Sequence, residues 1–225
     1  MAFVSSKRIE AIVDMAENCR TIADIGTDHG FISKRLLEEG KTENIIATDI
    51  SAPSLSKAEN LLRDSVFSCR IVFRVGNGLQ VISPGEADGI VIAGMGGQLI
   101  LKILGASPEV VGKADWMIIS PQKNIYDVRR MLPDLGLHIE KERIVEEDRR
   151  FYDHMFIRNG ASEPYSEEEL LTGRLSLTED RDAFMKMAAH RIRSLERILK
   201  KVTDGDDRIS VARELSIWKK VYTEE

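Results

Sequence analysis

The chain has 225 residues, 43% of them hydrophobic and 31% charged, with a formal net charge of −5. That is enough for one α/β domain with a sizeable core plus a smaller appendage, and it excludes a protein whose main device is a global basic field for nucleic acid. Cys19 and Cys69 are isolated, without a CxxC pair or a His-rich cluster, so no metal and no disulfide framework is expected, and no apolar run approaches the roughly 20 residues of a membrane span.

Residues 7–18 are expected to form an amphipathic helix, because Ile9, Ile12, Val13 and Ala16 recur at helical spacing; Ser5 or Ser6 is the candidate N-cap. Lys7, Arg8 and Glu10 interrupt any signal-peptide core, so the expected location is the cytoplasm. Residues 21–30 read as a buried strand, a glycine turn and the first turn of a helix. Ile22, Ala23 and Ile25 give an apolar strand of the kind found inside a parallel sheet. Gly26 allows a tight reversal and a close ligand approach, and Gly30 lets the next helix lie near the strand. The spacing is acidic-x-Gly-x-x-x-Gly. Asp28 stands where the dinucleotide fingerprint needs its second glycine, and a pyrophosphate would meet the carboxylates of Asp24 and Asp28. A ligand carrying an amine or a sulfonium is favoured instead, which selects S-adenosylmethionine over NAD.

The helix over residues 29–39 turns Phe31, Ile32, Leu36 and Leu37 to one side and stops at Gly40. Residues 44–50 are the second strand. Asp49, 25 positions after Asp24, stands where such a sheet places its ribose-binding acid. Pro53 opens the second helix. Strands over 70–75, 88–93 and 115–120 are followed by Gly76-Asn77-Gly78-Leu79, by Gly94-Met95-Gly96-Gly97 and by a polar end, Ser120-Pro121-Gln122-Lys123-Asn124. After a helix over 125–135, residues 137–145 and 152–158 read as a closing strand pair with a charged connector at 146–150. This βα alternation calls for a mostly parallel sheet with helices on both faces, an antiparallel strand at its end, and ligands at the C-terminal strand ends. Beyond Gly160, Pro164 and residues 167–169 read as a linker into a short helix. From 178 to 202, Met185, Ala188, Ile192, Leu195, Leu199 and Val202 follow coiled-coil spacing. After a turn at 204–207, Val211, Leu215, Trp218 and Tyr222 repeat it. The expected domains are 1–160, which binds the cofactor, and 161–225, a helical coiled-coil hairpin. Alone, that hairpin is marginal, so the chain is expected as a monomer or a weak dimer through the tail.

Asp24, Gly26, Thr27, Asp28, His29 and Gly30 are the first cofactor candidates; the alternative is a structural βα turn. Asp49 accepts from both ribose hydroxyls or caps the next helix, with Ile50 beside it. Asn77, between Gly76 and Gly78 and before Leu79, offers an amide to the adenine edge or simply makes a turn. Ala93, Gly94, Met95 and Gly96 give backbone groups and open space where a methyl acceptor must arrive, with Met95 as core or pocket lining. Asp24, Asp49 and Asn77 are expected to line one common cavity. Asp28, His29 and Tyr152 are the candidate catalytic residues, although His29 is better read as a hydrogen-bonding partner of the cofactor. Phe151 and Tyr152 either stack an unpaired base or open a strand. Arg181, Arg191, Arg193, Arg197 and Lys200 are phosphate-contact candidates, against the alternative of a solvated helix face.

Four strings, Asp24-Ile25-Gly26-Thr27-Asp28-His29-Gly30, Gly76-Asn77-Gly78-Leu79, Ile92-Ala93-Gly94-Met95-Gly96-Gly97 and Glu147-Asp148-x-x-Phe151-Tyr152, together resemble the TrmK family of bacterial tRNA (adenine(22)-N1)-methyltransferases. The resemblance runs over about residues 7–158, and the helical tail fits the family's layout. Ser120-Pro121-Gln122-Lys123-Asn124 departs from it where a string nearer Gln-Pro-Asn is expected. The resemblance implies a class I methyltransferase (Rossmann-like) fold with a mostly parallel seven-stranded sheet, S-adenosylmethionine as cofactor and tRNA as substrate. By position it puts Asp24, Gly26, Asp28, His29, Gly30, Asp49, Asn77 and Gly94 around the cofactor. An adenine N1 already carries a lone pair, so no catalytic triad is expected. The absence of an Asn-Pro-Pro-aromatic string after the fourth strand argues against N6 chemistry. The rival readings are a methyltransferase for a protein or a small molecule, and a catalytically silent RNA-binding protein.

Overall fold

The computed structural model describes residues 6–174, 181–203 and 205–223. The chain divides into two units, one ending at Glu163 and one starting at Pro164. In the first unit, short apolar runs form β1 (Cys19–Ile25), β2 (Thr42–Asp49), β3 (Ile71–Val75), β4 (Gly89–Met95) and β5 (Trp116–Pro121). They pair in parallel, as such runs do when helices cover both faces. β6 (Leu137–Glu147) and β7 (Arg150–Asn159) complete a seven-stranded sheet in the order β3-β2-β1-β4-β5-β7-β6, with β7 antiparallel to both its neighbours. The fold is therefore the mostly parallel, doubly wound α/β sheet that the βα alternation requires. β1 lies between β2 and β4, which is the switch point where strand order reverses and a crevice opens at the C-terminal ends.

α1 (Lys7–Met15), α2 (Phe31–Glu38) and α3 (Ala52–Leu62) cover one face; α4 (Gly97–Gly105), α5 (Pro108–Val111) and α6 (Ile125–Met131) cover the other. α1 packs on α2, and α4 packs on α5 and α6. The core under α1 and α2 gathers Ile12, Val13, Ile22, Leu36, Leu37, Ile45, Trp116 and Phe156. Each such side chain contributes about 1.5–3 kcal/mol by leaving water.

Several boundaries differ from the sequence reading. α1 stops at Met15 because Ala16 is already extended. Ser6 is its N-cap residue, yet the Ser6 hydroxyl donates to Glu147 (3.0 Å) rather than capping; Ser5 lies outside the described residues. α2 starts at Phe31, not at residue 29, because Gly30 takes a left-handed φ of 76°. β4 continues through Met95, with a register break between Ala93 and Met95. The helix expected over 125–135 ends at Met131, and Pro133–Leu135 forms a 3₁₀ turn. The charged connector at 146–150 shrinks to Asp148 and Arg149. Both have positive φ, 50° and 61°, as a tight two-residue hairpin turn demands.

In the second unit, residues 167–169 are not a linker. They open α7 (Glu167–Thr172) through a capping box. The Ser166 hydroxyl accepts from the Glu169 N–H, and the Glu169 carboxylate accepts from the Ser166 N–H. α8 (Arg181–Leu199) and α9 (Asp206–Thr223) pack along one another. The buried seam holds Phe184, Ala188 and Leu195 from α8 and Leu215, Trp218 and Val221 from α9. Phe184 and Val221 take the places expected of Met185 and Tyr222, and the Phe184 and Trp218 rings stand 6.1 Å apart. Thr178 and Asp204, expected at the start of the first helix and in the turn, lie outside the described residues. Asp206 and Asp207 belong to the first turn of α9, where acids suit the helix dipole.

Candidate active site

The loop from β1 to α2 is fixed by backbone bonds to β2. The N–H groups of Gly26 and Thr27 donate to the Thr48 carbonyl at 2.8 and 3.0 Å, and the Thr27 hydroxyl donates to the Asp24 carbonyl at 3.1 Å. Asp24 is only 2% exposed, and its carboxylate accepts from the Ser33 hydroxyl at 2.6 Å. Burial pushes this carboxyl above its ordinary range, against the opposing pull of the Ser33 and Thr27 hydrogen bonds. Asp24 thus braces the loop from beneath and does not rim a crevice. Gly30 also serves packing: an added Cβ there would lie 2.9 Å from the Ala58 Cβ, so glycine is what brings the start of α2 against α3.

Asp28 has a positive φ of 46° and a half-exposed side chain. His29 Nδ1 donates to its carboxylate at 2.6 Å, and the Lys57 ammonium lies at 3.4 Å. Partial burial raises its pKa, but the interactions with His29 and with Lys57 outweigh that, and the carboxyl sits below its usual range. The Asp28 N–H donates to Asp49 at 3.2 Å, and the other Asp49 oxygen accepts from the Ser51 N–H at 2.8 Å. The Asp49 carbonyl accepts from Gly76 at 3.0 Å, which holds Gly76 and the exposed Asn77 beside it. Ile50, next to Asp49, is 73% exposed.

A cavity of about 390 Å³ opens at the C-terminal ends of the central strands. Its wall takes Gly26, Thr27, Asp28 and His29 from the loop, Ala93 and Gly94 from β4, Ser120 and Gln122 from the end of β5, and Tyr152 and His154 from β7. Arg8, Ile9 and Ile12 from α1 and Phe31 and Ile32 from α2 close it. The registers Ile25–Ile92, Ala93–Ser120 and Ile119–Met155, carried on by one residue, set Gly26, Ala93, Ser120 and His154 in a row across four strands. Gly94 has a φ of 76°, and an added Cβ on it or on Gly96 would meet no atom within 4 Å, so this rim is open. The Arg8 guanidinium stands 5.2 Å from the centre of the Tyr152 ring and pairs with Glu147 at 3.3 Å. His154 is fully buried, and neither ring nitrogen has a hydrogen-bond partner among the described residues. Burial, and then the charges of Arg143 and Arg8, pull its pKa down to about 4, so the ring is neutral near pH 7.

The candidate residues thus separate. Gly26, Thr27, Asp28, His29, Ala93, Gly94 and Tyr152 share the cavity wall. Asp49, Ile50 and Gly76 to Leu79 stand at the adjoining ends of β2 and β3, outside that wall. Leu79 is buried, and Gly76 and Gly78 pack against Val81 and Ile103. Met95 packs against Gly26, and Gly96 faces open space as the N-cap of α4. The expectation that Asp24, Asp49 and Asn77 line one cavity is therefore corrected: Asp24 points into the α2 side of the core, and the other two sit a strand or two away. Arg181, Arg191, Arg193 and Arg197 are exposed on α8 in the second unit and Lys200 is exposed just past its end, with Arg191 paired to Glu214 at 2.9 Å. Sequence reasoning missed Arg8, Ser120 and His154 as wall residues. For His154 the signal was there, since strand alternation puts it on the Tyr152 face. Among the described residues no cluster of His, Cys, Asp and Glu could hold a metal ion, and no described helix is long and apolar enough to cross a membrane.

This strand order, with a glycine turn after β1 and an acid at the end of β2, defines a class of nucleoside-cofactor enzyme: residues 5–155 match the family described as "Methyltransferase domain", and the chain belongs to it. Within that class the chain is 29% identical over 207 residues to the tRNA (adenine(22)-N(1))-methyltransferase of Bacillus subtilis (strain 168), covering 90% of this chain and 87% of that protein. The crystal structure of the B. subtilis M1A22 tRNA methyltransferase TrmK matches with a TM-score of 0.85 at 27% identity, over 97% of this chain and 99% of that chain. A Streptococcus pneumoniae protein, a candidate tRNA (m1A22) methyltransferase solved in complex with S-adenosyl-L-methionine, matches with a TM-score of 0.86 at 26% identity, over 97% and 100%. The TrmK resemblance carried by the motifs extends over nearly the whole chain.

Proposed function

We propose that this chain is an S-adenosylmethionine-dependent methyltransferase acting on N1 of an adenine in tRNA, at position 22, in the cytoplasm. The observation that carries the reading is the pairing of a fixed carboxylate, Asp49, with an open cavity across the switch point from it. The residues present fit the cofactor. Asp49 would hold the ribose hydroxyls, the exposed Ile50 would cover an adenine face, and Asn77 would meet the adenine edge. The Gly26–Asp28 backbone and the open Gly94 would receive the methionine end. When bound, S-adenosylmethionine supplies a methyl group already activated on a sulfonium.

The chain's own task is alignment and exclusion of water, which can supply much of the acceleration. Adenine N1 brings its own lone pair, so no side chain has to remove a proton first. Bound there, the cofactor would give its methyl group to the N1 lone pair and keep the carbon–sulfur electron pair, and the base, then cationic, would release a proton from N6 to solvent. Asp28, held by His29 at 2.6 Å and with the Lys57 ammonium at 3.4 Å, forms a fixed polar part of the cavity wall. N1 of a paired adenine is hidden, so the base must leave its helix at a cost of about a few kcal/mol.

The test is incubation of the purified protein with S-adenosylmethionine and unmodified tRNA, followed by nucleoside mass spectrometry. The expected product is 1-methyladenosine, lost when the adenine at tRNA position 22 is replaced by guanine. Methyl transfer to a protein or a metabolite with none to tRNA overturns the reading.

A further inference from the structure

His154 is the unexplained group of the cavity wall. A buried polar group without a partner is costly, and His154 carries two such nitrogens. Arg8 Nε, also in the wall, makes no hydrogen bond but has the Glu147 carboxylate at 3.3 Å, and Thr48 Oγ1, His138 Nδ1 and Trp218 Nε1 lie outside that wall. The cavity end that His154 closes, over β5 and β7, lies away from Asp49 and the β2–β3 side. We infer that His154 forms the acceptor-base subsite, hydrogen-bonding the adenine that receives the methyl group; this rests on the tRNA methyltransferase reading above.

The chemistry suits that base. A neutral imidazole offers one N–H donor and one nitrogen acceptor. Accepting from the adenine N6 amino group would fix the edge that carries N1 while leaving the N1 lone pair free. The charged groups facing the ring, Arg8 and Arg143, oppose its protonation, so His154 adds no positive charge beside a base that becomes cationic. His154 is fully buried, so a base meets it only when side chains in front give way. Arg8 shares that wall; its side chain is 43% exposed and contacts Glu147 and the Tyr152 ring. Tyr152, two residues along the same strand face, is placed to stack on the same base.

The experiment uses the full-length chain with His154→Phe, which keeps a ring but no polar atom, and His154→Gln, which keeps a donor and an acceptor. Calorimetry reads S-adenosylmethionine affinity, and single-turnover assays at saturating tRNA read the transfer rate. His154→Phe should slow transfer about tenfold or more, the worth of a lost hydrogen bond to a group gaining charge, and leave cofactor affinity within about twofold. Its thermal midpoint should not fall, since an orphaned polar group is removed. His154→Gln should recover about threefold or more of the lost rate. Wild-type transfer by His154→Phe, equal impairment of both variants, or loss of cofactor binding or of thermal stability overturns the inference. A wild-type protein that leaves tRNA unmethylated shows instead that the underlying reading fails.

Discussion

Asp49 holds two backbone donors from two different loops, the N–H of Asp28 and the N–H of Ser51. Its carboxylate is therefore held before any ligand arrives, which would lower the ordering cost of binding a ribose there. Asp49→Ala removes both anchors and the proposed ribose acceptor together. The S-adenosylmethionine dissociation constant should rise about tenfold or more, since a hydrogen bond to a charged group contributes about 1.5–3 kcal/mol. Calorimetry that returns the wild-type affinity would take Asp49 out of the site. The position of Asp49 was legible, because a strand-end acid at that distance from the first glycine turn has few other places to point. The burial of Asp24 was not, because its direction depends on Ser33, nine residues on and on a different element. His154 stands between these cases: its face could be read from Tyr152, but its lack of a partner could not.

The closing hairpin shows what an element needs to carry such a wall. Tyr152 and His154 face the cavity from β7, while Asp153 between them turns to the other side of the sheet. There the Arg129 guanidinium of α6 donates to Glu142 on β6 at 2.8 Å and to Asp153 at 3.2 Å, all three being nearly or fully buried. This cluster ties α6 to both strands of the hairpin. Arg129→Met fills the volume but leaves two carboxylates in the interior without their cation. The expected loss is about 3–5 kcal/mol of unfolding free energy in urea; a loss below about 1 kcal/mol would show that the carboxylates are satisfied without it. The strands of this hairpin were legible from their alternation. The turn was not, because Asp148 and Arg149 adopt positive φ without glycine, and only the strand pairing on both sides imposes it.

At the scale of the whole chain, two different sequence periods specify two units. Apolar runs alternating with helical stretches end at Asn159, and a seam at helical spacing follows. The strand order was not legible, since βα alternation fixes the layers but not which strand neighbours which. The seam was read one residue off at Phe184 and at Val221 because several registers of a short amphipathic helix satisfy the same spacing. Arg193 and Arg197 are exposed on α8 and Lys200 just past its end, whereas Arg191 is paired with Glu214. With a net charge of −5, the chain needs a local patch to hold a polyanion. Replacing Arg193, Arg197 and Lys200 together by Gln should weaken tRNA binding about tenfold at moderate salt while leaving S-adenosylmethionine affinity unchanged. It should also flatten the dependence of log affinity on log salt by roughly 2 to 3, the slope that three released counterions carry. Filter binding over a salt series reads both quantities. An unaltered slope means that these cations face water in the complex, and that the tRNA phosphates are held elsewhere on the chain.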